Sequence, residues 1–202
     1  MTLYKIHSAL WLALVLGLGT ALSACSGGAD YAAHDITGVM PDLEFNLTNE
    51  KGEAVTADDY DGRLKLLFFG YTNCPDICPA TMARIRAALG GLDADTRDNI
   101  DVLFLSVDPE RDTPERLQRF TSSFGEGVTG LTGTQEQLKA LSKRYRVTYG
   151  YGEPNENGFY LVSHSSAIFV FGPDDRARLL INQQQGVDEI TADLKTLLGQ
   201  LD

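Results

Sequence analysis

Cys74-Pro75-Asp76-Ile77-Cys78-Pro79 places two thiols four residues apart. They follow the apolar run Leu64 to Tyr71 and precede the helix-like stretch Ala80 to Leu89. A strand that hands over to a helix N-terminus surrounds sulfur with orphan N–H groups and the positive end of the helix dipole, which favour thiolate over thiol. Residues i and i+4 share one side of a helix start, so the pair can close as a disulfide or pinch a metal ion. Two thiolates suit Cu(I), Zn(II) or an exposed redox pair. A structural staple fits poorly with Pro75, Asp76 and Pro79 crowding the turn. Thiol–disulfide oxidoreductases carry two residues between such cysteines, and here there are three.

Of three histidines, His7 falls in an N-terminal apolar segment and His34 in a small, polar stretch where it reads as exposed. His164 stands between Ser163 and Ser165-Ser166, just before the strand-like Ala167 to Phe171. An imidazole facing two thiolates makes a Cys2His set, a soft trigonal home for copper. From the residues alone, a metal ligand and an ordinary loop histidine both remain open.

The elements that must position these groups alternate. Asp42 to Leu47 and Ala54-Val55 flank the turn signal Asn49 to Gly52 and predict a β-hairpin. Leu64 to Tyr71 and Val102 to Val107 are near-continuous apolar runs, as in strands buried on both faces. Ala80 to Leu89 predicts a helix closed by Gly90-Gly91. A second helix opens at Asp112-Thr113-Pro114-Glu115 and runs to about Phe124. Gly127 to Leu131 fits a short strand. Thr134 to Tyr145 predicts a helix with Thr134 as N-cap and Gln137 at the capping-box position. Tyr149 to Asn157 reads as a Gly/Asn/Pro-rich loop. Tyr160 to Val162, Ala167 to Phe171 and Leu179 to Asn182 are strand-like, and Val187 to Leu198 predicts a last helix.

Strand–helix alternation with a Cys pair at the end of the first buried strand predicts an α/β, thioredoxin-like sandwich. Its mixed central sheet is flanked by helices, and the N-terminal hairpin is an extension. In that arrangement the loop before the Ala167 strand packs beside the cysteine turn. Disulfide-exchanging members place a cis-proline in that loop, where this chain has His164 and no proline.

The ends and the charge bound the rest. Lys5, the apolar run Ser8 to Leu22 and the small-residue exit Leu22-Ser23-Ala24-Cys25 have the form of a secretory signal. Residues 1–24 are expected to be removed, with residues 25–40 a tether and 41–202 the domain. Those last four residues resemble a bacterial lipobox, which would make Cys25 a lipid-modified first residue and leave Cys74 and Cys78 as a pair. Removing Lys5 takes the formal net charge from −11 to −12. A body this acidic argues against nucleic acid, which needs a basic face, and against electrostatic adhesion to anionic lipid.

Phe69-Gly70-Tyr71-Thr72-Asn73-Cys74-Pro75-Asp76-Ile77-Cys78-Pro79 closely resembles a motif of the SCO/SenC family of copper-binding assembly proteins. Ser106 to Pro114 matches a second signature of that family, and Tyr160 to Ser166 running on to Asp174 matches a third. The resemblance extends from about Leu43 to Leu198. It implies a thioredoxin-like fold that holds Cu(I) or Cu(II) through Cys74, Cys78 and His164, with Asp108 near the site. It also implies delivery of copper, or of reducing equivalents, to the dinuclear copper centre of cytochrome c oxidase, with another cuproprotein as the alternative recipient. The lipobox-like Leu22 to Cys25 would place that delivery on the extracytoplasmic face of a bacterial membrane. The alternative is a thiol–disulfide reductase that uses Cys74 and Cys78 as a redox pair. A peroxiredoxin-like peroxidase fits least, since Tyr71 occupies the position where those enzymes need Thr.

Overall fold

The computed structural model describes residues 29–201, so the predicted signal and Cys25 lie outside the described residues. Two runs with no polar face set the layers. β4 (Leu64–Gly70) and β5 (Ile100–Ser106) are buried at every position. They pair in parallel, with Leu64 opposite Ile100 and Gly70 opposite Ser106. Such strands need cover above and below. β6 (Val128–Thr132) joins β5 in parallel.

The other neighbours in the sheet run antiparallel. β9 (Ile168–Phe171) lies along β4, with β10 (Ala177–Ile181) beyond it. On the opposite side β2 (Asn46–Asn49) lies along β6, followed by β3 (Ala54–Thr56). With β1 (His34–Asp35) on β10, the order is β1-β10-β9-β4-β5-β6-β2-β3. This is the mixed sheet of a thioredoxin-like sandwich, with the β2–β3 hairpin as the expected extension.

Helices α1 (Ile77–Gly90) and α5 (Val187–Leu201) lie together, and Thr191 Oγ1 donates to the Ala88 carbonyl at 2.9 Å. α3 (Pro114–Thr121) covers β6 so closely that a Cβ on Gly130 would stand 2.9 Å from that of Leu117. α4 (Gln135–Arg144) opens on the capping box of Thr134 and Gln137. At its end Tyr145 packs its ring against Phe69, Phe169 and Phe171.

Three local expectations change. Met40 and the residues before it do not all act as a tether: from Tyr31 onward the segment is docked. The Ala32 and Ala33 N–H groups donate to the Asp193 carboxylate at 3.0 and 2.7 Å, and Ala33 and Ile36 are buried. His34 remains exposed, on the edge strand β1. A short helix, α2 (Ala94–Asp98), appears where no element was expected, capped by the Asp93 carboxylate on the Thr96 N–H. The predicted loop at Tyr149 begins instead as β7 (Tyr149–Tyr151), which pairs with β8 (Val162–His164) in a separate two-stranded sheet. Tyr149 stands opposite His164, so the histidine ends a strand rather than lying in a loop.

Candidate metal centre

Helix α1 begins three residues earlier than its apolar pattern suggests. Pro79 is tolerated there because an N–H in the first turn has no partner within the helix. Asp76 stands at the N-cap but accepts no capping hydrogen bond through its side chain. Cys74 Sγ accepts from the Cys78 N–H at 3.3 Å instead. One sulfur therefore caps the helix, while the other is carried in its first turn toward the sheet.

Cys78 is fully buried and Cys74 only partly. The end of β4 makes room for Cys78 through Gly70. A Cβ on Gly70 would stand 3.0 Å from Cys78 Sγ and 2.7 Å from the Phe104 ring. Gly70→Ala is expected to cost about 1–3 kcal/mol through overpacking, seen as a lower urea midpoint with an unchanged slope.

His164 reaches the same spot from β8. Its Nε2 is 3.3 Å from Cys78 Sγ, and its Nδ1 is 2.8 Å from the Ser165 carbonyl. A carbonyl partner requires Nδ1 to carry the proton, which leaves the Nε2 lone pair facing the sulfur. The imidazole packs edge-on to Tyr71 at 5.7 Å and to Phe68 at 5.9 Å between ring centroids. One donor atom from each of Cys74, Cys78 and His164 fits within a 4.8 Å cluster. Two sulfurs and one imidazole nitrogen are a donor set for a soft, low-coordinate metal ion.

Electrostatically the two sulfurs are unequal. Burial pushes the Cys78 thiol well above its ordinary range, against a backbone hydrogen bond at Tyr71 that lowers it, and neighbouring Cys74 adds to the rise. Dipole and N–H groups were expected to favour thiolate at both positions. Desolvation overrides them at Cys78, because the helix start that carries it is packed onto the sheet. Burial also lowers the pKa of His164, partly offset by the Ser165 and Phe69 carbonyls. Without metal the centre therefore pairs a neutral imidazole with a protonated buried thiol whose S–H can donate to Nε2.

Asp108 touches none of the three. Its fully buried carboxylate accepts from Tyr160 Oη at 2.9 Å and pairs with the Arg111 guanidinium. Asp112, which the sequence offered only as part of a helix start, holds the cysteine turn. It accepts from the Thr72 N–H at 2.9 Å and from Ser106 Oγ at 2.6 Å, as well as from Thr72 Oγ1. Burial raises its pKa, against those hydrogen bonds. Asn73 Oδ1 accepts from Arg116 Nη2 at 3.0 Å. The Thr72–Cys74 turn is thus fastened to Asp112, between β5 and α3, and to Arg116 in the first turn of α3. A second acidic grouping, Asp58, Asp61 and Asp175, is already occupied through the buried Lys65 ammonium on Asp175.

A family model described as SCO1/SenC matches residues 39–199. The chain is 35% identical over 153 residues to the human protein named Protein SCO1 homolog, mitochondrial, an alignment that covers 75% of this chain and 51% of that protein. The chain thus spans about half the length of that curated relative. Among solved structures it is similar to Bradyrhizobium japonicum ScoI with copper bound, at 35% identity and a TM-score of 0.69, covering 77% of this chain and 98% of the other. It is also similar to a SCO1/SenC family lipoprotein from Bacillus anthracis, at 26% identity and a TM-score of 0.64, covering 78% and 95%.

Proposed function

The chain belongs to the SCO1/SenC family, and from that premise we propose that it is a copper carrier holding Cu(I) or Cu(II) through Cys74, Cys78 and His164. The observation that carries the reading is the 3.3 Å approach of His164 Nε2 to Cys78 Sγ across 86 residues of sequence, with Cys74 in the same cluster. Soft thiolates hold Cu(I), and the imidazole makes Cu(II) tolerable. Three protein donors leave the metal open to an incoming ligand, which transfer by ligand exchange requires.

The recipient is the copper-site subunit of cytochrome c oxidase or another cuproprotein. Cys25 is the lipid-bearing residue that holds the domain on the extracytoplasmic face of a bacterial membrane. The lipobox-like Leu22 to Cys25 supports that anchor, and no helix among the described residues is long and apolar enough to cross a membrane.

A thiol–disulfide reductase is favoured by one observation: a partly exposed Cys74 beside a buried Cys78 matches an attacking thiol with a protected resolving one. Oxidation of the pair to a disulfide removes two metal ligands, so metal affinity and redox state are coupled. Copper titration of the thiol-reduced protein decides between the two readings. One copper per chain with a thiolate charge-transfer band for Cu(II) is expected. Thiol exchange without metal uptake would leave only the reductase.

A further inference from the structure

The two cysteines and the histidine stand on separate supports. Cys74 and Cys78 belong to the β4–α1 turn, fastened to the main sheet, whereas His164 ends a strand of the two-stranded β7–β8 sheet. No ladder of the eight-stranded sheet therefore fixes the imidazole. The ring itself meets the Ser165 and Phe69 carbonyls and the Phe68 and Tyr71 rings. The strand that carries it is held by side-chain links between that hairpin and the segment after β5.

Arg111 is at the centre of these links. Its guanidinium pairs with Asp108 and donates from Nη1 to the Tyr160 carbonyl at 2.9 Å. It also lies 3.5 Å over the Tyr160 ring, whose hydroxyl donates back to Asp108. One residue is thus held by its backbone, its ring face and its hydroxyl. On another side the same guanidinium is 5.7 Å from the Tyr71 ring, which meets the His164 imidazole edge-on. Two further contacts close the hairpin down: Tyr151 Oη donates to the Val107 carbonyl at 2.6 Å and accepts from Gln135 Nε2 at 3.0 Å.

We propose that Arg111, with Asp108 and Tyr160, is a latch that positions His164 over the two cysteines. The proposal rests on the reading that these three residues hold copper. Asp108 is fully buried, and a buried carboxylate stripped of its cation carries a large desolvation cost. Loss of Arg111 therefore removes the stack and strains the Tyr160 anchor together, four residues ahead of the histidine. The thiolates keep their own supports. A loosened latch weakens the imidazole's share of binding, on which Cu(II) depends more than Cu(I).

Two variants of the full, thiol-reduced chain test this. Arg111→Lys keeps the charge but loses the planar fork and stack, and Tyr160→Phe keeps the ring but loses the hydroxyl bond to Asp108. For each, the Cu(II) dissociation constant is expected to rise about 10- to 100-fold, as for other residues that orient a metal ligand, with Cu(I) changed less than about threefold. In the metal-free protein the Gly152 and Ser163 amides, which face across the β7–β8 hairpin, should exchange hydrogen faster than in the wild type. Equal weakening of both copper states with unchanged exchange at those amides would overturn the latch, and so would unchanged Cu(II) affinity. If Arg111→Lys does not fold, Tyr160→Phe carries the test. If the wild type takes up no copper, the copper reading falls, while the metal-free exchange rates still decide the latch.

Discussion

Exchange of Cys74 or Cys78 for Ser, or of His164 for Ala, is expected to lower Cu(II) affinity by about 100- to 1,000-fold. The magnitude follows from ligand number. Small four-ligand zinc sites bind with about 10–16 kcal/mol, or roughly 3 kcal/mol per ligand. A three-ligand site has no spare donor to make up a loss. Donor type then separates the variants. A lost thiolate weakens Cu(I) and Cu(II) alike, whereas a lost imidazole falls mainly on Cu(II). Competition against a chelator of known affinity measures both. His164→Ala that keeps Cu(II) affinity within about threefold would remove the histidine from the ligand set, because loss of a true ligand cannot be that small. The same variant separates carrier from reductase: thiol exchange through Cys74 and Cys78 does not need the imidazole and is expected to persist.

What the sequence carried was local. The apolar runs in β4 and β5 have no polar face to confuse their burial. Thr134 and Gln137 form the capping box that their spacing predicts. The cysteines were legible as a pair because i and i+4 on a helix start is a local relation. That His164 meets Cys78 is a tertiary fact across 86 residues, and motif resemblance rather than spacing pointed to it. The helix start was misplaced because its cap is a sulfur, Cys74 on the Cys78 N–H, and no common capping pattern has cysteine in that role. Docking of the Tyr31–Met40 segment depends on Asp193, 160 residues beyond Ala33. Nor does composition reveal that Arg111 stacks on Tyr160, since both side chains are ordinary surface types until the hairpin folds over them.

Copper affinity is also expected to rise with pH between about 7 and 9, close to tenfold per unit for each proton displaced. The sign follows from burial. The Cys78 thiol lies above its ordinary range, so it carries its proton through that window and must surrender it to bind metal. Raising the pH weakens that competition. His164 is shifted the other way, so its imidazole is already neutral there and competes only at lower pH. Calorimetry in buffers of different ionisation enthalpy counts the protons released. A flat affinity profile from about pH 7 to 9, with no release, would show that Cys78 is a thiolate before metal arrives. The same raised thiol makes a second, metal-free signature. Its contribution to stability is fully present below the ordinary thiol pKa of 9.0 and is lost as pH climbs from there toward the folded value. Metal-free protein should therefore weaken in alkali more than a Cys78→Ala variant does. Copper reverses the difference, because a metal-bound sulfur has no proton left to lose.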